Sequence, residues 1–129
     1  DLETYSSVDL AACGVYKYAE SFDFRILLFG YAWGDDPVEV LDLTKEDLPF
    51  SLASALADEN ITKVAHNANF ERVCLTRYVK AYAKKKNILG DAVKKKLTED
   101  GFLPPEQWQD TMIMAAENGY PSSLGMIML

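Results

Sequence analysis

Residues 24–33 form a run of apolar and aromatic side chains interrupted only by Arg25 and Gly30. Such a run predicts a strand buried on both faces. Gly34-Asp35-Asp36-Pro37 is turn chemistry, and residues 38–43 alternate apolar and acidic side chains, as a half-buried strand does. Ahead of them, residues 15–18 follow Gly14 as a short β-prone stretch, and residues 1–4 read as the end of a strand begun further upstream. These segments predict an antiparallel meander.

The pattern then changes period. Residues 49–56 predict a short helix with Pro49 in its first turn, and residues 61–65 a short strand. Residues 67–69 form a polar junction. From Phe70 onward Val73, Cys74, Tyr78, Ala81 and Tyr82 keep helical spacing, while Arg77, Lys80 and Lys84 fall on another face. Residues 87–90 break this pattern, 101–105 read as a loop, and 108–118 as a helix ended by Gly119-Tyr120-Pro121. Ser122 or Ser123 is placed to cap a last helix. A meander followed by helix and strand alternation is a mixed α/β sheet flanked by helices.

Composition narrows the reading. A chain of 129 residues, 49% hydrophobic and 26% charged, holds a core and fits one domain over residues 1–129. Its longest apolar stretch, residues 26–33, is too short to cross a bilayer, and no signal peptide opens it. The expectation is a cytoplasmic protein in which Cys13 and Cys74 remain free thiols. The chain starts at Asp1 and stops in the apolar Met126-Ile127-Met128-Leu129. Those ends suggest a piece of something longer, with an apolar terminus suited to self-association.

Net charge is −7, which taken alone argues against nucleic acid. The distribution alters that: residues 1–62 carry −10, residues 63–97 carry +8, and residues 98–129 carry −5. The basic block, including residues 84–86 and 94–96, is either a phosphate-facing patch or a solvated lysine-rich helix.

Three clusters could carry chemistry. In a strand, Asp1 and Glu3 face the same side, and two carboxylates so placed repel unless a proton or a hard cation lies between them. A solvated terminus is the plain alternative. In Ala65-His66-Asn67-Ala68-Asn69-Phe70-Glu71 a strand ends in polar side chains and leads into a helix, where α/β proteins place their sites. Glu71 also suits a helix start for structural reasons, and His66 suits a hydrogen-bonded structural role. The third cluster is Trp108-Gln109-Asp110-Thr111-Met112, in which Asp110 could serve as a helix N-cap.

Together and in this order, the clusters resemble the 3′–5′ proofreading exonuclease domain of family A (DNA polymerase I-like) DNA polymerases of the phage and prophage type. That domain belongs to the DEDD exonucleases of the ribonuclease H-like fold. Asp1-Leu2-Glu3-Thr4-Tyr5-Ser6-Ser7 resembles the first exonuclease motif, and Asn67-Ala68-Asn69-Phe70-Glu71 the second. Asp110-Thr111-Met112 and Ser123-Leu124 resemble the stretch between the second and third motifs. The likeness runs nearly end to end.

The resemblance implies that Asp1, Glu3 and Glu71 are catalytic metal ligands for Mg²⁺ or Mn²⁺, two ions in the complete domain. It implies that Thr4, Asn67, Phe70 and Asp110 contact the 3′ end of single-stranded DNA, and that the chain's partner is the polymerase domain of a parent chain. Two cations about 4 Å apart would bridge the scissile phosphate, one generating hydroxide and the other stabilising the departing 3′ oxygen. Two departures stand out. The family usually has Asp where this chain has Glu71, and its third motif, Tyr or His four residues before a last acid, has no match after Asp110.

Other readings are a non-catalytic ribonuclease H-like module, a ribonuclease of the same superfamily, and an acidic interaction domain without metal. With its third motif unmatched, and with the free amine of Asp1 opposing a cation, this chain is expected to be weakly active or inactive. With Mn²⁺ and 3′-labelled single-stranded DNA, we expect little digestion. Robust digestion abolished by Glu3→Ala would show the third-motif argument to be wrong.

Overall fold

In the computed structural model, which describes residues 1–86 and 101–119, Leu2–Tyr5 (β1) pairs antiparallel with Arg25–Tyr31 (β2). Glu39–Asp42 (β3) pairs antiparallel with the far edge of β2, giving the sheet order β1-β2-β3. This is the expected meander. Its central strand, however, is covered on one face only: Ile26 and Phe29 are buried, whereas Leu28 is 37% exposed. Ile26 and Phe29 are three apart, so strict alternation would place them on opposite faces. The pairing shifts between Glu3 and Thr4, which skips Leu27 in β2 and turns both side chains into the core. In β3 the alternation is also one-sided, with Leu41 packed against the core and Val40 63% exposed.

Residues 15–18 are helical rather than extended, a correction to the sequence reading. Asp9 caps a single turn, Leu10–Cys13 (α1), by accepting hydrogen bonds from the amides of Ala11 (3.0 Å) and Ala12 (3.3 Å). Gly14, at φ 83°, redirects the chain into Val15–Glu20 (α2). Burial of Tyr18 and Ala19 outweighs the β preference of Val15, Tyr16 and Tyr18.

Phe50–Ala57 (α3) buries Leu52, Ala53, Leu56 and Ala57, one stripe at helical spacing. Pro49 is its N-cap residue rather than part of its first turn. Lys63–Ala65 (β4) is followed by the long Ala68–Lys86 (α4), which buries Val73, Cys74, Leu75, Val79 and Tyr82. A second correction falls at residues 108–118. After a 3₁₀ turn at Pro105–Gln107, Trp108–Asp110 (β5) pairs in parallel with β4, and only Thr111–Glu117 (α5) is helical. The edge of β4 offers a hydrogen-bonding partner that local periodicity does not reveal. The class is mixed α/β as expected, with the strands divided between a three-stranded sheet and this two-stranded one. The break expected at residues 87–90, lysines 94–96 and everything from Tyr120 onward lie outside the described residues.

One core joins the elements: Leu2, Ile26 and Phe29 from the sheet meet Leu52 and Leu56 of α3 and Cys74, Leu75 and Val79 of α4. Leu103 is pinned to α4 by its own backbone. Its amide donates to Thr76 Oγ1 (3.1 Å), and its carbonyl accepts from Arg72 Nη1 (3.0 Å). Among the described residues no helix is long and apolar enough to cross a membrane.

The two parallel strands are tied at their ends by Asp110. Its carboxylate accepts hydrogen bonds from the amides of Asn67, Ala68 and Met112, each 2.9 Å. The same side chain therefore caps α5 and anchors the start of α4. Replacing Asp110 by Ala loses a cap worth about 1 kcal/mol and strands further amide donors, each costing about 1–3 kcal/mol where buried. We expect a loss of roughly 2 kcal/mol or more in urea unfolding. A loss below about 0.5 kcal/mol would contradict the double anchoring.

Candidate functional site

The polar junction between β4 and α4 is geometrically constrained. Asn67 adopts φ 62°, and Asn tolerates this left-handed conformation better than most non-glycine residues. The bend directs the amides of Asn67 and Ala68 to Asp110 and sets the axis of α4. One turn later, Glu71 points inward. It is only 6% exposed, and no described residue donates a hydrogen bond to it. Burial raises its pKa above the ordinary glutamate value, opposed in part by the positive charge of the chain's amino terminus. The next turn carries Cys74, fully buried, whose thiol pKa is pushed up to about 12 by burial and by the charge of Glu71. Such a thiol is not a nucleophile at neutral pH.

Glu71 lines a cavity of about 390 Å³ whose walls include Asp1, Phe29, Trp33, Leu52, Leu56, Leu75 and Trp108. Asp1 is held at its rim by two main-chain hydrogen bonds with Gly30, each 2.8 Å. Its carboxylate also accepts a hydrogen bond from the Leu2 amide at 3.0 Å. Glu3 is placed differently. It pairs with Leu28, on the face of the sheet opposite Leu2 and Phe29, and is exposed to solvent. Asp1 and Glu71 thus share one cavity, and Glu3 does not line it. Among the described residues, no three His, Cys, Asp or Glu side chains stand close enough to hold one metal ion.

The four residues expected to contact DNA fall into two pairs. The Thr4 hydroxyl lies 2.8 Å from that of Tyr18, and the Tyr18 ring packs against Phe70 with centroids 6.2 Å apart. Tyr18 thus connects the first and second motif segments. Sequence reading missed it because it assigned that stretch to a strand. Asn67 and Asp110 form the other pair, through the hydrogen bond that the Asn67 main-chain amide donates to the Asp110 carboxylate. His66 Nδ1 lies 3.0 Å from Thr111 Oγ1, a contact that joins the same two junctions.

Of the basic block, Lys85 and Lys86 both pair with Asp47, at 3.1 and 3.3 Å. Their hydrogen bonds hold the Asp47 carboxyl below the usual aspartate range. Arg72 and Lys80 instead flank the ring of Phe102, with the charged groups 5.9 and 5.4 Å from its centroid. Tyr16 meets the same ring edge-on at 5.3 Å. Basic and aromatic side chains interleave here, and Arg25 separately lies 4.9 Å from the centroid of the Tyr5 ring.

These features define a mixed α/β protein whose buried carboxylate sits where the start of β1 faces the start of α4. Over 125 residues the chain is 42% identical to a DNA polymerase of Bacillus phage SP02. The match takes in 96% of this chain and 16% of that polymerase, so the chain is related to one part of a much longer protein. No protein-family profile matches the chain, and no solved structure matches it significantly.

The raised pKa of Glu71 has a definite consequence for stability. Below the unfolded-state pKa both states are protonated and the group costs nothing. As pH rises past that value the unfolded chain releases its proton first, and stability falls until the folded pKa is passed. We therefore expect Glu71→Gln to be more stable than the parent to urea at pH 7. The advantage should shrink steadily toward pH 4. An advantage that grows on acidification would mean that the carboxylate is stabilised in its charged form.

Proposed function

We propose that this chain is the 3′–5′ exonuclease part of a DNA polymerase, acting on single-stranded DNA ends with Mg²⁺ or Mn²⁺. The observation that carries the reading is Glu71, a carboxylate buried at a cavity without a hydrogen-bond donor among the described residues. A buried charge offset only in part by the amino-terminal ammonium is costly, and sites that use such groups usually bring a cation to them. The order of the motif residues and the similarity to a phage DNA polymerase support the same reading.

The donors fit a hard divalent cation in part. Asp1 and Glu71 both line one cavity, and carboxylates are the ligands that Mg²⁺ and Mn²⁺ prefer. Glu3, on the outer face, does not complete the set of three acids that the motifs imply. A bound cation supplies Lewis acidity toward a phosphate oxygen. The chain's own contribution is to fix the Glu71 carboxylate in an apolar wall, where the low dielectric strengthens its attraction for a cation, with the exposed Asp1 at the rim. The ammonium of Asp1, hydrogen-bonded to Gly30 O, works against that attraction.

The non-catalytic module is a second reading, favoured by the exposure of Glu3. One measurement separates the two. In a calorimetric titration with Mn²⁺, the exonuclease reading expects a binding heat that Glu71→Gln reduces at least about tenfold in affinity. Absence of binding, or binding indifferent to Glu71→Gln, would favour the module.

A further inference from the structure

The positive charge on α4 divides between two faces. Lys85 and Lys86 turn to Asp47, so their charge is offset within the chain. Arg77, Lys80 and Lys84 lie three and four residues apart and form one row along the helix, about 10 Å long at about 1.5 Å per residue. Lys80 and Lys84 are exposed and Arg77 is half-buried. Among the described residues, none of the three has an acidic partner within ion-pair distance. A row of unpaired cations stands out on a chain of net charge −7.

Aromatic rings stand beside this row. Lys80 Nζ lies 5.4 Å from the centroid of the Phe102 ring, and Tyr16 of α2 meets that ring edge-on. Tyr16 is 45% exposed, yet it is not loose. Its hydroxyl accepts a hydrogen bond from Arg72 Nη2 at 3.4 Å. That guanidinium is itself fixed by Leu103 O at 3.0 Å and Asn69 Oδ1 at 2.9 Å. A fixed, accessible ring beside unpaired cations is the combination that binds an unstacked base and its phosphates.

We propose that Tyr16 and the Arg77, Lys80 and Lys84 row form a surface for internal nucleotides of single-stranded DNA. None of these residues lines the cavity of Glu71, so the surface is separate from the candidate site. The occupant follows from the two chemistries together. Phosphates complement the row, and a base stacks on Tyr16. Duplex DNA keeps its bases stacked on one another, and an acidic peptide leaves the ring unused. The surface deepens the exonuclease reading and rests on it for the kind of strand. It needs neither a 3′ end nor a metal ion.

The test is fluorescence anisotropy in EDTA with a labelled circular oligothymidylate of about 20 nucleotides, which offers no 3′ end. The parent chain should bind it. Lys80→Gln with Lys84→Gln should weaken binding at least about tenfold and make its logarithmic salt dependence shallower by about 1.4. Lys85→Gln with Lys86→Gln removes the same two charges and should change affinity by less than about twofold, since Asp47 already offsets them. Tyr16→Leu should weaken binding about fivefold or more with the salt dependence unchanged, and Tyr16→Phe should retain it. Absence of binding, equal losses from the two lysine pairs, or a duplex bound as tightly would overturn the surface. So would indifference to Tyr16→Leu in a folded variant. The lysine comparison uses exposed side chains and stands even if Tyr16→Leu fails to fold. Mn²⁺ titration with Glu71→Gln reports on the exonuclease reading separately, so either can fail alone.

Discussion

Three amide groups from two helix starts converge on the carboxylate of Asp110, and the geometry of the candidate site depends on that convergence. A helix start leaves four backbone donors without intrahelical partners, and a carboxylate there also meets the positive end of the helix dipole. Asp110 answers both needs for α5 and shares its oxygens with α4. The left-handed turn at Asn67 is what allows α4 to present its first amides in the right direction. From there the helical spacing fixes Glu71 one turn inward, Cys74 below it and Leu75 against the core. A residue 39 positions away in sequence thus sets where Glu71 points.

Glu71 stands against that well-satisfied junction. Asp110 has three donors, and Glu71, buried more deeply, has none among the described residues. A chain selected for stability alone has no reason to keep a charged group there, because Gln or Met fills similar volume without the desolvation cost. The contrast separates a carboxylate that ties the fold together from one whose placement stability does not account for. It also explains why Asp110 and Asn67, both plausible DNA contacts by motif, have an architectural role in this fold.

Much of the architecture was legible along the chain. The meander, α3, β4 and the long α4 follow from periodicity and turn residues that agree with tertiary burial. The failures have physical causes. Residues 15–18 carry β-prone side chains, yet Asp9 and Gly14 start and redirect helices there, and burial of Tyr18 decides the matter. Trp108 to Asp110 are three residues, too few for a periodic signal, and they are extended because β4 offers an edge. The skip at Leu27 is invisible in sequence because it depends on the partner strand.

The sequence by itself determined the mixed α/β class, the order of the acidic motif segments and the concentration of positive charge after Glu71, since composition and spacing are local properties. Only the tertiary structure decided which acids meet. Asp1 and Glu71 share a cavity, Glu3 faces solvent, and Thr4 reaches Phe70 through Tyr18. The reason is that contact between distant residues depends on register, a bulge and a shared cap, and each of those belongs to a pair of segments rather than to either one.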